Sequence, residues 1–573
     1  MTDVSPAPAQ ADRWWWEQSR YCWAAILVLS LLLWVPRLSG PIDLRWDGGV
    51  YYLLGTSLAS GEGYRISSEP GSPEAIQYPP LLPLFVALHE RVLGTTDPAV
   101  VAPWLRRSYA LIFVLFGLSL FALARRFSTP ALAFVAVALC LCQLMTVFMS
   151  DLLFAELPFA LLSVCFVLVA MSKRLTAWLR EPLLFALAAS GFLLRTAGLA
   201  LLGAWVLDAV VRRHWRTVVV RAALALLPVV SWQAYVMKVR SSYDYTHPAY
   251  EYQRAPYQYY NVSYAENVAL VDPFRPELGH AGIGTIATRF ASNVFPMLHA
   301  IGEAASTKED FWAQILNRAR RHLPLDNLIP LKLVVVPILI VCAITFLGLA
   351  PLMRAGGGMI VLILLLSFSL AATTPWPEQF SRYLMPVAPF ICICAIAGWR
   401  QLYAMFSRQG GAFQFGRVVL CALLAGVFLL QLYALLKAFR LRTDDLPEFD
   451  SGVPNARNAR LFYHDKTWTS WEKAVSWIRV HAPSDAIVAT SAPHYLYLLT
   501  GRRAVLPPME RDAQRAEHLL ATVPVKYVVI DQLEFLDVTR RYARPAVEID
   551  PANWRVVYSA EGTSIYERNG AAK

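Results

Sequence analysis

The stretch DLRWDGGVYYLL, residues 43–54, follows almost directly on YCWAAILVLSLLLWVPRLS, residues 21–39, the first long apolar run of the chain. Such a run suits a membrane helix, because about 20 apolar residues span the hydrocarbon core of a bilayer. Asp43 and Asp47 therefore sit within a turn or two of a membrane surface. Carboxylates at that depth are costly unless they face a watery cavity, and they mark functional sites.

The rest of the chain agrees with a membrane setting. Its 573 residues are 56% hydrophobic and 16% charged, and the mean hydropathy is +0.42. A soluble protein of ordinary composition is about 45–50% apolar and about 25% charged. Further apolar runs lie near 108–124, 129–149, 155–172, 217–237, 329–350, 358–374, 383–398 and 417–437. The stretch between 172 and 217 is too long for one span, and Arg195 and Gly198 interrupt it, which predicts two short helices meeting near Arg195-Thr196. The short basic connections ARRFS (124–128), SKRLTAWLR (172–180), VRRHWR (211–216) and WRQLYAMFSR (399–408) orient the set by the positive-inside rule. The result is an all-α polytopic membrane domain of about eleven spans, N-terminus in and C-terminus out. Parity makes PPLLPLFVALHERVLG (79–94) a juxtamembrane helix rather than a span. The first run, with no small-residue cleavage site after it, reads as an anchor.

Three regions follow: a cytoplasmic tail at 1–20, a membrane domain at 21–438 with outer loops at 40–107 and 240–328, and an outer C-terminal α/β domain at 439–573. In the last, KTWTSWEKAVSWIRVHA (466–482) and DAQRAEHLLATV (512–523) have helical periodicity. AIVATS (486–491) and KYVVID (526–531) read as strands, and 554–570 as a hairpin turning at Glu561-Gly562. The loop at 240–328 is dense in tyrosine, which suits either an aromatic belt at the membrane surface or stacking on sugars. It also carries the triplet Asn261-Val262-Ser263, a pattern that arises often by chance. His247 and His494 read as structural. The eight cysteines lie in or beside apolar runs without metal-ligand spacing and read as helix-packing residues. The net charge of +11 resides partly in the cytoplasmic loops. No nucleic-acid motif is present, and no inverted repeat of the transporter kind.

Four outer-face stretches place polar groups where apolar ones would be cheaper: Asp43 to Tyr51, Gln77 to Pro80, Ser150 to Phe159, and Pro375 to Pro386. Arginine can fork onto a phosphate, and a carboxylate can take a proton from an attacking hydroxyl, so acids with an Arg/Tyr pair suit a phosphorylated lipid. Each residue also has a plainer reading. Asp47 can cap the helix beginning GGVYYLL, Asp151 can cap the helix after it with Glu156 in the first turn, and Arg382 can anchor the interface.

The pattern Asp47, Tyr51, Gly55, then SLASGEGY (57–64), then Tyr-Pro-Pro-Leu (78–81), resembles the first outer loop of GT-C membrane glycosyltransferases. It is most similar to the group of protein O-mannosyltransferases, lipid A aminoarabinose transferases and rhizobial lipopolysaccharide glycosyltransferases. SDLLFAELPF (150–159) resembles that group's second acidic motif, RYLMPVAPF (382–390) its late R-Y-x-x-P motif, and Arg195-Thr196 its turn between short helices. The resemblance implies a hexosyl or pentosyl transferase of a bacterial inner membrane, acting on the periplasmic face. Its donor would be a sugar on a polyprenyl phosphate, and its acceptor a glycolipid, polysaccharide or protein. Asp47 would be the general base of an inverting attack. Arg382, with Tyr383, would hold the donor phosphate, and Tyr78 would sit near it. Asp151, Glu156, Asp43 and Tyr51 would shape the site or orient the acceptor. The resemblance implies no resident cofactor and leaves a divalent metal open. Several relatives carry a second acid directly after the first and a basic residue three positions on, where this chain has Gly48 and Val50, and some carry a basic residue at Tyr78. Phosphate neutralisation then falls to Arg45, Arg382, Arg195 or the 240–328 loop. The competing reading is a transporter or flippase of a lipid-linked glycan. A scaffold with an outer α/β domain would leave the clustered acids without a role.

Overall fold

A computed structural model of the protein describes residues 19–322, 331–408, 414–442, 461–533 and 537–569. The tail at 1–20 lies, up to residue 18, outside the described residues, as does most of the junction after 438.

Each apolar run of the sequence is helical. Among the described residues, seven helices are long and apolar enough to cross a bilayer: Ser19–Arg37, Pro98–Ala124, Ala177–Leu194, Trp215–Arg240, Val335–Arg354, Pro377–Ser407 and Gln414–Arg440. Pro130–Leu141 and Leu144–Asp151 form an eighth apolar unit, bent by 56° at the break between them. Glu156–Ala170, Thr196–Val211 and Gly358–Ala372 are apolar but shorter. The protein is thus a multi-pass membrane protein.

Two amphipathic or mixed helices lie between the first two crossings. Asp47–Ala59 packs against Leu81–Leu93. The latter buries Leu82, Val86 and Glu90 and exposes Leu84, Leu88 and Val92, one apolar face turned outward at helical spacing. Thirteen residues reach only about 20 Å, short of a roughly 30 Å hydrocarbon core. Gly55 allows the two helices to meet, because a Cβ there would lie 2.6 Å from Val86 Cβ and 2.9 Å from Pro83 O.

The 240–328 stretch is not all loop, for it contains a 23-residue helix, Ile283–Ala305. It buries Met297, Ala300, Ile301, Ala304 and Ala305 in the core of the membrane domain. Asn293 Nδ2 donates to Ala372 O and Thr374 O, at 2.9 and 3.0 Å, satisfying carbonyls that end the Gly358–Ala372 helix. Several of the tyrosines before it are packed inside the protein. Tyr250 and Tyr252 are buried in one hydrophobic cluster with Ile487, Val505 and Val528 of the C-terminal domain. Tyr250 Oη and Asn261 Nδ2 both donate to Glu69 Oε2, at 2.9 and 2.8 Å. Asn261 is fully buried, so its triplet serves packing.

Among its described residues the C-terminal domain has five strands: β1 (Ile487–Ala489), β2 (Ala504–Val505), β3 (Val525–Ile530), β4 (Trp554–Ala560) and β5 (Thr563–Arg568), in the order β2-β1-β3-β5-β4. β1 pairs in parallel with β2 and β3, and β5 runs antiparallel between β3 and β4. The β4–β5 hairpin turns at Glu561 (φ 51°) and Gly562 (φ 83°), as two positive φ angles in a two-residue turn require. Lys466–His481 covers one face with Trp471, Val475 and Ile478 buried.

Candidate active site

All four polar stretches contribute to one cavity of about 310 Å³. Asp47 and Tyr51 come from the Asp47–Ala59 helix, and Tyr78 from the strap before Leu81–Leu93. Glu156 opens the Glu156–Ala170 helix. Arg195 sits at the break between Ala177–Leu194 and Leu199–Val211, in extended backbone. Arg382 and Tyr383 lie in the short helix Phe380–Leu384.

The charged groups form a chain of alternating sign. Arg382 Nη2 lies 2.6 Å from Asp47 Oδ2, and Arg382 Nε lies 2.6 Å from Glu156 Oε1. Arg195 Nη1 lies 2.8 Å from the same Glu156 oxygen. The Tyr78 hydroxyl donates to Asp47 Oδ1 at 3.0 Å, and the Tyr51 and Tyr78 rings meet edge to face at 4.9 Å. Burial, and then the Asp47 carboxylate, push the Tyr78 phenol well above its ordinary range. Tyr78 therefore remains a hydrogen-bond donor at any physiological pH. The Arg195 guanidinium lies 5.5 Å over the Tyr383 ring, and that of Arg382 4.4 Å over Phe154. Glu156 is 1% exposed, while the Arg382 and Arg195 side chains are 22% and 16% exposed. The acid thus holds the two guanidiniums from behind and leaves them turned toward the cavity.

Asp47 is not a helix cap. The N-cap position is Trp46, no side chain caps the helix there, and the Asp47 carboxylate is taken by Arg382 and Tyr78. Asp151 is no cap either, for it ends the helix Leu144–Asp151. Three residues expected at the site lie outside the cavity lining. Asp151 is buried among arginines, 3.5 Å from both Arg37 Nη1 and Arg106 Nη2. Asp43 and Arg45 pair with each other at 2.7 Å, and Arg45 also donates to the carbonyls of Phe462 and Tyr463. Buried charges demand such partners, and these pairs keep the three residues away from solvent. Of the arginines expected at the site, Arg195 and Arg382 line the cavity. Gly48, where relatives carry an acid, has a physical reason: a Cβ there would lie 3.1 Å from Asp43 O and 3.6 Å from Leu153 Cβ.

Sequence reasoning missed several lining residues, among them Tyr259, Tyr264 and Asn267. The tyrosine density of the 240–328 loop was their only signal. Apolar membrane residues Phe159, Leu199, Leu370 and Val387 complete the wall. Among the described residues no group of three or more His, Cys, Asp or Glu side chains is placed to hold a metal ion, and both site carboxylates are engaged by guanidiniums.

No protein-family model matches the sequence, and no curated protein sequence matches it either. Solved structures do. The oligosaccharyltransferase AglB from Archaeoglobus fulgidus, in complex with an inhibitory peptide and a dolichol-phosphate, superposes with a TM-score of 0.52 at 13% identity, over 97% of this chain and 75% of that one. The same enzyme in the apo form gives 0.52 at 14% identity over the same shares. The chain has a GT-C fold. ArnT from Cupriavidus metallidurans in the apo state is also similar, at 13% identity over 96% of this chain and 98% of that one; its TM-score of 0.49 adds no weight to the assignment. Within the GT-C fold of this chain, the helix pair Asp47–Ala59 and Leu81–Leu93, the broken helix at Arg195 and the short helix Phe380–Leu384 bring the lining residues together.

Proposed function

We propose that the protein is an inverting glycosyltransferase of a bacterial inner membrane, using a polyprenyl-phosphate-linked sugar at a periplasmic cavity. The orientation is that of the basic loops, with about eleven spans, N-terminus in and C-terminus out. The observation that carries the reading is the contact of Asp47 with Arg382 at 2.6 Å in a cavity that Arg195 also lines. A phosphate bound by the two arginines places the anomeric carbon, one bond beyond its ester oxygen, beside the Asp47 carboxylate. The apolar wall from Phe159 to Val387 suits the lipid chain of the donor. AglB, of the same fold, has been captured with a dolichol-phosphate, a ligand of the same chemical kind.

The step balances without a metal or cofactor. The donor phosphate competes for Arg382 and frees Asp47 Oδ2, while Tyr78 keeps Oδ1 occupied. Asp47 accepts the proton of the acceptor hydroxyl as its oxygen attacks the anomeric carbon. The bond from that carbon to the phosphate oxygen breaks, and the electron pair leaves on polyprenyl phosphate, whose added charge falls to Arg195 and Arg382. One displacement inverts the anomeric centre. General-base catalysis of this kind contributes about 10²–10⁴ in rate. Acceptors of the class are envelope glycolipids, polysaccharides or proteins.

The test is a lipid profile by mass spectrometry of cells carrying the wild type or Asp47→Asn at matched expression. The expected result is accumulation of a polyprenyl-phosphate-sugar in the variant and loss of that sugar from one envelope glycan. An unchanged donor pool and unchanged glycans refute the reading.

A further inference from the structure

Asp47 follows the residue with the least ordinary backbone at the site. Trp46 has φ 55° and ψ −131°, a conformation that an L side chain adopts only when its surroundings impose it. What imposes it comes largely from the far end of the chain. The Trp46 ring meets the Trp468 ring edge to face at 5.6 Å and the Phe148 ring at 5.9 Å. Its neighbour Arg45 reaches into the C-terminal domain, donating through Nη2 to Phe462 O at 2.6 Å and through Nη1 to Tyr463 O at 3.2 Å. The same guanidinium lies 5.0 Å over the Trp468 ring. Three residues later, a Cβ at Gly49 would stand 3.5 Å from both His494 Cβ and Tyr495 N. His494 is itself buried, its Nδ1 within 2.8 Å of Ser68 Oγ. The membrane side contributes the anchor at the other end: Asp43 N donates to Asp151 O and Asp43 O accepts from Leu153 N, at 3.1 and 3.0 Å.

We infer that Trp468, with the carbonyls of Phe462 and Tyr463, positions the catalytic carboxylate: the C-terminal domain clamps Arg45 and Trp46 and so aims Asp47. The inference rests on the reading of Asp47 as general base. These are positioning residues, since none of them lines the cavity. A clamp of this kind acts first on the base; Arg382 also touches Asp47, but Glu156 holds both arginines whether or not Asp47 is aimed. Loss of the clamp must therefore slow transfer while leaving the lipid phosphate bound.

The experiment uses the full-length protein. Trp468→Leu and Trp468→Phe are compared with Asp47→Asn in cells, by accumulation of the polyprenyl-phosphate-sugar, and as purified protein, by binding of undecaprenyl phosphate. The expected result is donor accumulation in Trp468→Leu approaching that in Asp47→Asn, with undecaprenyl phosphate bound within about twofold of wild type. Should Trp468→Leu not yield folded protein, Trp468→Phe, which keeps an aromatic ring in the cluster, is expected to give partial accumulation and unchanged binding. Trp46→Gly, which accepts the positive φ, should retain more transfer than Trp46→Ala. Wild-type transfer in folded Trp468 variants overturns the positioning role, as does a tenfold loss of undecaprenyl phosphate binding. If Asp47→Asn itself accumulates nothing, the general-base reading has failed; if it does and the Trp468 variants do not, only the clamp has.

Discussion

Replacing Glu156 with glutamine separates the arginines' work from the base's. Glu156 Oε1 faces Arg382 Nε at 2.6 Å and Arg195 Nη1 at 2.8 Å, so the four charged groups of the cavity cancel. Glu156→Gln leaves one excess positive charge where the donor phosphate is proposed to bind. A unit charge about 4 Å away is worth roughly 4 kcal/mol at an effective dielectric constant near 20. The two guanidiniums are partly exposed, and screening by water leaves about 1.5–3 kcal/mol, or tenfold to hundredfold in affinity. The ligand-free variant pays in the other direction, since removing one partner of a buried ion pair destabilises by about 3–5 kcal/mol. The assay is thermal unfolding of the purified protein with and without undecaprenyl phosphate. Glu156→Gln should unfold at lower temperature than wild type when empty and gain more on adding the lipid. A folded variant whose lipid-induced shift equals or falls below that of wild type refutes the assignment of Arg195 and Arg382 to the phosphate.

Three other outcomes follow from the same geometry. Asp47→Asn should lower transfer by about 10²–10⁴ while still binding undecaprenyl phosphate, measured on the same preparation. Tyr78→Phe removes the donor to Asp47 Oδ1 and should slow transfer about fivefold to tenfold, the worth of one such hydrogen bond being about 1 kcal/mol; a loss as large as that of Asp47→Asn would mean Tyr78 acts on substrate directly. Burial depresses the His494 imidazole from 6.5 to about 3. The unfolded chain then binds the extra proton between those values, so stability is full above pH 6.5 and is lost as pH falls toward 3, by about 1.4 kcal/mol per unit. The difference in unfolding free energy between wild type and His494→Gln should show that slope between pH 6 and pH 4.5, and a pH-independent difference would contradict it.

What the sequence could and could not disclose divides along physical lines. Apolar length and turn chemistry are local, so the membrane helices, the break at Arg195 and the hairpin turn at Glu561-Gly562 were legible. Charge near the membrane was legible too, but its pairing was not. Asp43, Asp47, Asp151 and Glu156 look alike in one dimension. In the fold Asp47 and Glu156 meet arginines in a cavity, while Asp151 meets Arg37 and Arg106 in the dry interior. Arg37 sat unnoticed at the end of the first apolar run. The helix Ile283–Ala305 was hidden because its polar residues, Arg289 and Asn293 among them, serve the carbonyl ends of neighbouring segments. Tyrosine is equally at home at a lipid surface and in a cavity wall, so composition alone could not place Tyr259 or Tyr264.

The bond from Arg45 to Phe462 joins positions 417 residues apart. Asp47 leaves the ribosome long before the groups that hold its neighbours. The membrane helices can therefore insert and pack with the catalytic loop still loose. A nascent or C-terminally truncated chain would carry its phosphate-binding arginines yet lack an aimed base. On the proposed roles, such a chain would hold donor lipid without consuming it, and synthesis itself would withhold turnover until the clamp has been made.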